Sequence, residues 1–160
     1  MRPVAGQNYI STIHLDEKSV IRRSPQVEHE RKIAIFDLLE DNNFALRKGG
    51  DGPFHLKLRI TENRLIFDLS DEDDLHLTDI TLPISTFRRV VKDYFLICDS
   101  YFEAIKTKTP SQIEAIDMAR RGLHDEGAEK LQERMTEFVE MDKMTARRLF
   151  TLVCVLHIRA

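Results

Sequence analysis

The hydrophobic pattern changes period along the chain. Tyr9 to Leu15 is rich in β-branched and aromatic residues and predicts a strand. After a charged connection, Ser24 before Pro25 suits an N-cap followed by proline at the first helical position. Val27, Ala34 and Leu38, with Ile35 and Leu39 beside them, then form one helical stripe that should end near Asn42 or Asn43. Phe44 to Arg47 is a short candidate edge strand. The turn Gly49-Gly50-Asp51-Gly52-Pro53 allows positive φ at low cost and reads as a hairpin.

The clearest strand follows. Phe54, Leu56, Leu58 and Ile60 face one way, and His55, Lys57, Arg59 and Thr61 the other. Glu62-Asn63 makes a tight connection to Arg64–Leu69, and the acidic loop Ser70–Asp74 leads to Leu75–Leu82. Short connections between alternating strands predict an antiparallel meander with one wet face.

Pro83 ends the sheet, and the period becomes helical. Ser85 should cap a long helix with Phe87, Val90, Val91, Tyr94, Cys98, Tyr101, Phe102 and Ile105 on one stripe, the expected spine for the sheet. Thr109-Pro110-Ser111-Gln112 is a capping box. The helix it opens should stop at Gly122, with Leu123 touching Met118 in a Schellman ending. Asp125 should cap another helix, whose face is Ala128, Leu131, Met135 and Phe138. Asp142 should cap the last. Its stretch LFTLVCVLHI is almost wholly apolar, so it is either buried on all sides or placed at a subunit interface. Its β-branched residues leave a strand as the alternative.

These elements predict an α+β fold: an antiparallel β-meander with an N-terminal strand and helix, followed by a helical C-terminal half packed on one sheet face. The length of 160 residues fits one domain over 1–160, sheet-rich from 9 to 83 and helical from 84 to 159.

Composition narrows the class. Hydrophobic residues make up 42% and the formal charge is only −3, from 24 Lys+Arg against 27 Asp+Glu, which excludes a disordered chain. The near balance also disfavours a dedicated nucleic-acid binder. No apolar run spans a bilayer, and the N-terminus lacks a signal-peptide core, so a cytoplasmic protein is expected. Cys98 and Cys154 have no CxxC spacing and sit in apolar stretches, as buried free thiols would.

Catalytic signatures fail one by one. The glycine cluster lacks the Lys-Ser/Thr of a phosphate loop. His29-Glu30 opens like a zinc-protease helix, but Ile33 stands where the second histidine is required. The run Asp71-Glu72-Asp73-Asp74 lacks the glycine and terminal glutamate of a calcium loop. There is no GxSxG elbow. No metal and no cofactor are expected. Basic residues come as six doublets, among them Arg120-Arg121 and Arg147-Arg148. Helical neighbours point about 100° apart, so such a doublet is not expected to form one clamp. The polar sheet face of His55, Lys57 and Arg59 is a secondary candidate surface, without aromatic stacking platforms for nucleic acid.

One segment survives. Arg120, Arg121, His124, Asp125 and Glu126 put two guanidinium groups, an imidazole and two carboxylates in seven residues. The arginines could hold a phosphate or carboxylate, His124 could move a proton, and an acid could orient it. Against this, Gly122, Asp125 and Glu126 also read as a plain helix junction.

The string AIDMARRGLHDEGAEKLQERM (115–135), the ending TARRLFTLVCVLHIR (145–159) and the opening ISTIHLDE (10–17) resemble an uncharacterised protein family of alphaproteobacteria. The resemblance covers nearly the whole chain but implies no chemistry for any residue. Three functions stand in order. The first is a non-catalytic protein acting through an unknown protein partner or as a homo-oligomer. The second is an enzyme or binder of a small anionic ligand at Arg120–Gly127. The third is nucleic-acid binding through the sheet face. No membrane association is expected.

Overall fold

A computed structural model of the chain describes residues 8–16 and 25–157. The expected cap Ser24 lies outside them. The elements, in order, are β1 (Ile10–Leu15), α1 (Pro25–Glu40), β2 (Phe44–Leu46), β3 (Phe54–Thr61), β4 (Arg64–Ser70), β5 (His76–Pro83), α2 (Ser85–Thr107), α3 (Pro110–Met135), β6 (Val139–Met141) and α4 (Lys143–His157). The fold is α+β, with strands mostly in the first half and helices mostly in the second.

The main sheet has the order β1-β3-β4-β5. Alternation along β3 does what the sequence requires: Phe54, Leu56 and Leu58 are buried, and Lys57 is exposed. Glu62 and Asn63 both adopt positive φ, which matches the twist of a two-residue hairpin. The pairs β3–β4 and β4–β5 are antiparallel, as a meander requires. β1 instead runs parallel to β3, with α1 in the crossover, so the sheet is mixed. A register shift between Ile10 and Thr12 lets Ile10 and Leu15, five apart, both face the core.

The glycine turn is not a hairpin. β2 belongs to a second, two-stranded sheet, where it pairs antiparallel with β6: Phe44 faces Met141 and Leu46 faces Val139. Gly49 and Gly50, at φ of 109° and 132°, therefore carry the chain from one sheet to the other.

The helices correct several expectations. α2 starts without a side-chain cap, because buried Ile84 takes the N-cap position and Ser85 is already helical. Its stripe is buried from Phe87 to Cys98, but Ile105 is 52% exposed. α2 packs mainly on α3 and is not the spine. That place belongs to α4, ten of whose fifteen residues are buried, between α1, α3 and β3. A helix apolar all round goes to the centre, whereas a striped one serves an edge. The apolar stretch is thus a core helix, not a strand. Asp142 caps it through a 3.1 Å bond from the Thr145 N–H.

The Thr109/Gln112 capping box forms in full. α3, however, runs through Gly122 to Met135, so there is no Schellman ending, Asp125 is no cap, and Phe138 lies past the helix. A mid-helix glycine costs only about 1 kcal/mol relative to alanine, and the packing of α3 on α2 and α4 outweighs that.

The two glycines of α3 differ in kind. Nothing lies within 4 Å of a Cβ placed on Gly122, whereas one on Gly127 would overlap the ring of Phe150 where α3 crosses α4. Gly122→Ala is expected to stabilise the chain by about 0.5–1 kcal/mol. Gly127→Ala is expected to destabilise it by about 1–3 kcal/mol. Urea unfolding of both variants checks the opposite signs.

Candidate functional site

The continuity of α3 decides where the surviving segment goes. On one unbroken helix, residues four apart share a face and successive residues diverge. Arg120, Arg121 and His124 line a cleft of about 360 Å³ between α1, α3 and α4. Asp125 and Glu126 do not line it. Asp125 pairs with Arg147 of α4, and Glu126 accepts from Arg89 of α2 at 2.6 Å. Those two carboxylates dock α3 on its neighbours. The five candidates therefore divide into three that face the cleft and two that hold its walls.

The remaining walls come from distant sequence. α4 supplies Met144, Arg147, Arg148 and Thr151, α1 supplies Glu30, Ile33 and Asp37, and α2 supplies Tyr94. Both arginine doublets line the cleft, and in each one member is committed to an acid outside the lining, Arg120 to Asp117 and Arg147 to Asp125.

The arginines are held to different degrees. Arg120 donates to Asp117 at 2.6 Å through Nη2, lies 3.9 Å from Glu30 and stacks 4.7 Å over the Tyr101 ring. It is largely committed. Arg148 donates to the Asp37 and Asp41 carbonyls at 3.3 and 2.8 Å, closing the C-terminal end of α1. That uses one of its nitrogens. Among the described residues Arg121 makes one ion pair, with Asp117 at 3.1 Å, and its side chain is 59% exposed. With five N–H donors per guanidinium, Arg121 and Arg148 keep donors for a ligand.

His124 is wedged between the rings of Tyr94 and Phe150, each 5.4 Å away. Burial, followed by the charges of Arg147 and Arg120, pushes its imidazole down to about 4. At neutral pH it is uncharged and a poor proton acceptor, so it offers hydrogen bonds in place of the proton transfer considered above. Nε2 lies 2.8 Å from Thr151 Oγ1, and that hydroxyl donates to the Arg147 carbonyl at 3.3 Å. Nε2–H then donates to Thr151, and Nδ1, buried and without a hydrogen-bond partner among the described residues, keeps a lone pair. Burial also pushes Glu30 up, against the lowering effect of Arg120 and His29.

Cys98 and Cys154 are both free and buried, as expected. Burial pushes the Cys98 thiol up to about 11 and Cys154 well above its usual value, so neither is a reactive thiolate.

Two residues of the secondary surface on the sheet pair with acids: His55 lies 2.8 Å from Asp74, and Arg59 lies 3.0 Å from Asp68. Lys57 sits opposite Asp68 in the β3–β4 register. Asp68, His76 and Asp79 bring three possible metal-ligand atoms within 4.8 Å of one another. Arg59 already places positive charge against both aspartates, 3.8 Å from Asp79. Asp71 Oδ1 accepts from the Asp73 and Leu75 N–H groups, so the acidic run is a self-bonded strand connection.

Sequence reasoning found only the α3 side of the cleft, Arg120, Arg121 and His124. Arg147 and Arg148 appeared only as one doublet of six, and Glu30 only within a failed zinc motif. Asp37 carried no signal at all.

The profile of an uncharacterised protein family, UPF0262, matches residues 7–159. A UPF0262 protein of Rhodospirillum rubrum is 57% identical over 95% of this chain and 94% of its own length. One of Nitrobacter hamburgensis is 56% identical over 95% and 93%. One of Rhodopseudomonas palustris strain BisB5 is 55% identical over 98% and 96%. No solved structure matches the chain.

Proposed function

We propose that this chain, which belongs to the uncharacterised protein family UPF0262, binds a small anionic compound in the cleft between α1, α3 and α4. The observation that carries this reading is that Arg121 and Arg148, both with donors to spare, line one cleft beside an uncharged His124. The volume lies in the range of small-molecule sites. Phosphate and carboxylate are the groups that such guanidinium donors match. The role proposed is binding, because burial leaves His124, the proton carrier considered above, uncharged at neutral pH. The reading takes 1–160 as one domain of a cytoplasmic protein, in keeping with its buried free thiols. No described helix is long and apolar enough to cross a membrane.

A protein-interaction role is the second reading. Phe36 is 65% exposed on α1, one turn from the exposed Ile33. The burial of α4 in the core removes the other support for a subunit interface.

Thermal unfolding with inorganic phosphate, a sugar phosphate, a nucleoside monophosphate and a dicarboxylate tests the proposal. A ligand at 100-fold its Kd should stabilise the chain by about 2.7 kcal/mol, a rise of about 5–10 °C in Tm. Arg121→Ala, which removes an exposed side chain, should weaken binding about tenfold to a hundredfold. A flat response to the whole panel overturns the reading.

A further inference from the structure

The cleft is not uniformly basic, and its charge is sorted by helix. α3 and α4 contribute Arg120, Arg121, Arg147 and Arg148, while α1 contributes only the acids Glu30 and Asp37. The two acids are seven residues apart, so they lie about 10 Å apart along one face of α1. A ligand bearing only negative charge would meet favourable donors on one wall and repulsion on the other.

The two acids differ in what they already do. Glu30 lies 3.9 Å from Arg120 and is half-buried. The Asp37 carboxylate meets no cation and no hydrogen-bond donor among the described residues; only its backbone carbonyl is used, by Arg148 and by the Asp41 N–H. Arg121 and Arg148, with spare donors, thus share one cleft with a carboxylate that has no partner among the described residues. Ile33 and Met144, both partly exposed, line the same cleft and give apolar contact.

Resting on the anion reading above, we propose that the ligand is a small zwitterion. Its phosphate or carboxylate group lies against Arg121 and Arg148, its ammonium or amidinium group against Asp37, and a short apolar spacer against Ile33 and Met144. Such a ligand supplies each wall with the charge it lacks. Opposite charges at both ends also fix its direction, which a single anion contact cannot do.

Calorimetric titration of the full chain with two matched series tests this. One series is aminoethyl to aminopentyl phosphate; the other is ethyl to pentyl phosphate, which lacks the ammonium group. For at least one spacer length the aminoalkyl phosphate should bind about tenfold tighter or more than its partner, the effect of one charge-assisted contact. Asp37→Asn should bring that ratio to about one while the alkyl phosphates still bind. If alkyl phosphates bind as tightly at every length, the zwitterion is overturned and the anion site stands. If Asp37→Asn leaves the preference intact, the assignment of the ammonium contact is overturned. If neither series binds, the phosphate zwitterion is overturned, and the anion reading falls as well if the dicarboxylate of the thermal panel gives no response.

Discussion

A Phe150→Ala chain is expected to lose about 3–5 kcal/mol of stability, the range for truncating a fully buried aromatic. Phe150 is 0% exposed and lies where α3, α4 and α2 meet. Its ring contacts Tyr94 at 6.4 Å and His124 at 5.4 Å, both in edge-to-face geometry, and fills the space that Gly127 leaves open. Truncation opens a cavity whose walls are three helices held by other contacts, so little collapse can offset it. It also removes the support under His124, so weaker ligand binding should accompany the lower stability. Urea unfolding measures the first effect; a loss below about 1 kcal/mol would mean that the α3–α4 crossing does not depend on this ring.

Asn42→Leu is expected to be nearly as costly, although it removes no volume. Asn42 is 1% exposed. Its Oδ1 accepts from the Ile10 N–H at 2.7 Å, and its Nδ2 donates to the Ile10 carbonyl at 2.9 Å and the Leu38 carbonyl at 2.7 Å. One amide thus serves three backbone groups and ties the end of α1 to the first residue of β1. Leucine leaves all three without their partner, at about 1–3 kcal/mol for each buried group, so a total of about 3 kcal/mol or more is expected. The same end of α1 is closed by Arg148, so Asn42 and Arg148 together fix the wall that carries Asp37. Equilibrium unfolding of Asn42→Leu checks the figure. A change within about 0.5 kcal/mol would show that the bonds contribute no net stability.

What could be read from the sequence was local. The alternation of β3, the capping box at Thr109 and Gln112, and the Asp142 cap each depend on residues within a few positions, and each appears in the fold. What could not be read depends on partners far along the chain. The three residues of β6 are a strand only because β2, almost a hundred residues earlier, supplies their partner. Gly122 carries the local signal of a helix end, yet α3 passes through it because packing on two other helices exceeds the cost of one glycine. The cleft follows the same rule. Arg120, Arg121 and His124 stood out because they cluster in sequence. Arg147, Arg148 and Asp37 acquire meaning only once α4 and α1 are laid beside α3.

The central claim is that this cleft receives the ligand. Amide and histidine NMR shifts, followed while a stabilising phosphate or carboxylate compound is titrated into the isotopically labelled chain, test it most directly. The account predicts that the changes concentrate at Glu30–Asp37, Arg120–His124 and Met144–Thr151, with the His124 ring signals among the largest. Saturable changes centred on the sheet face of His55, Lys57 and Arg59, or none anywhere, would contradict it.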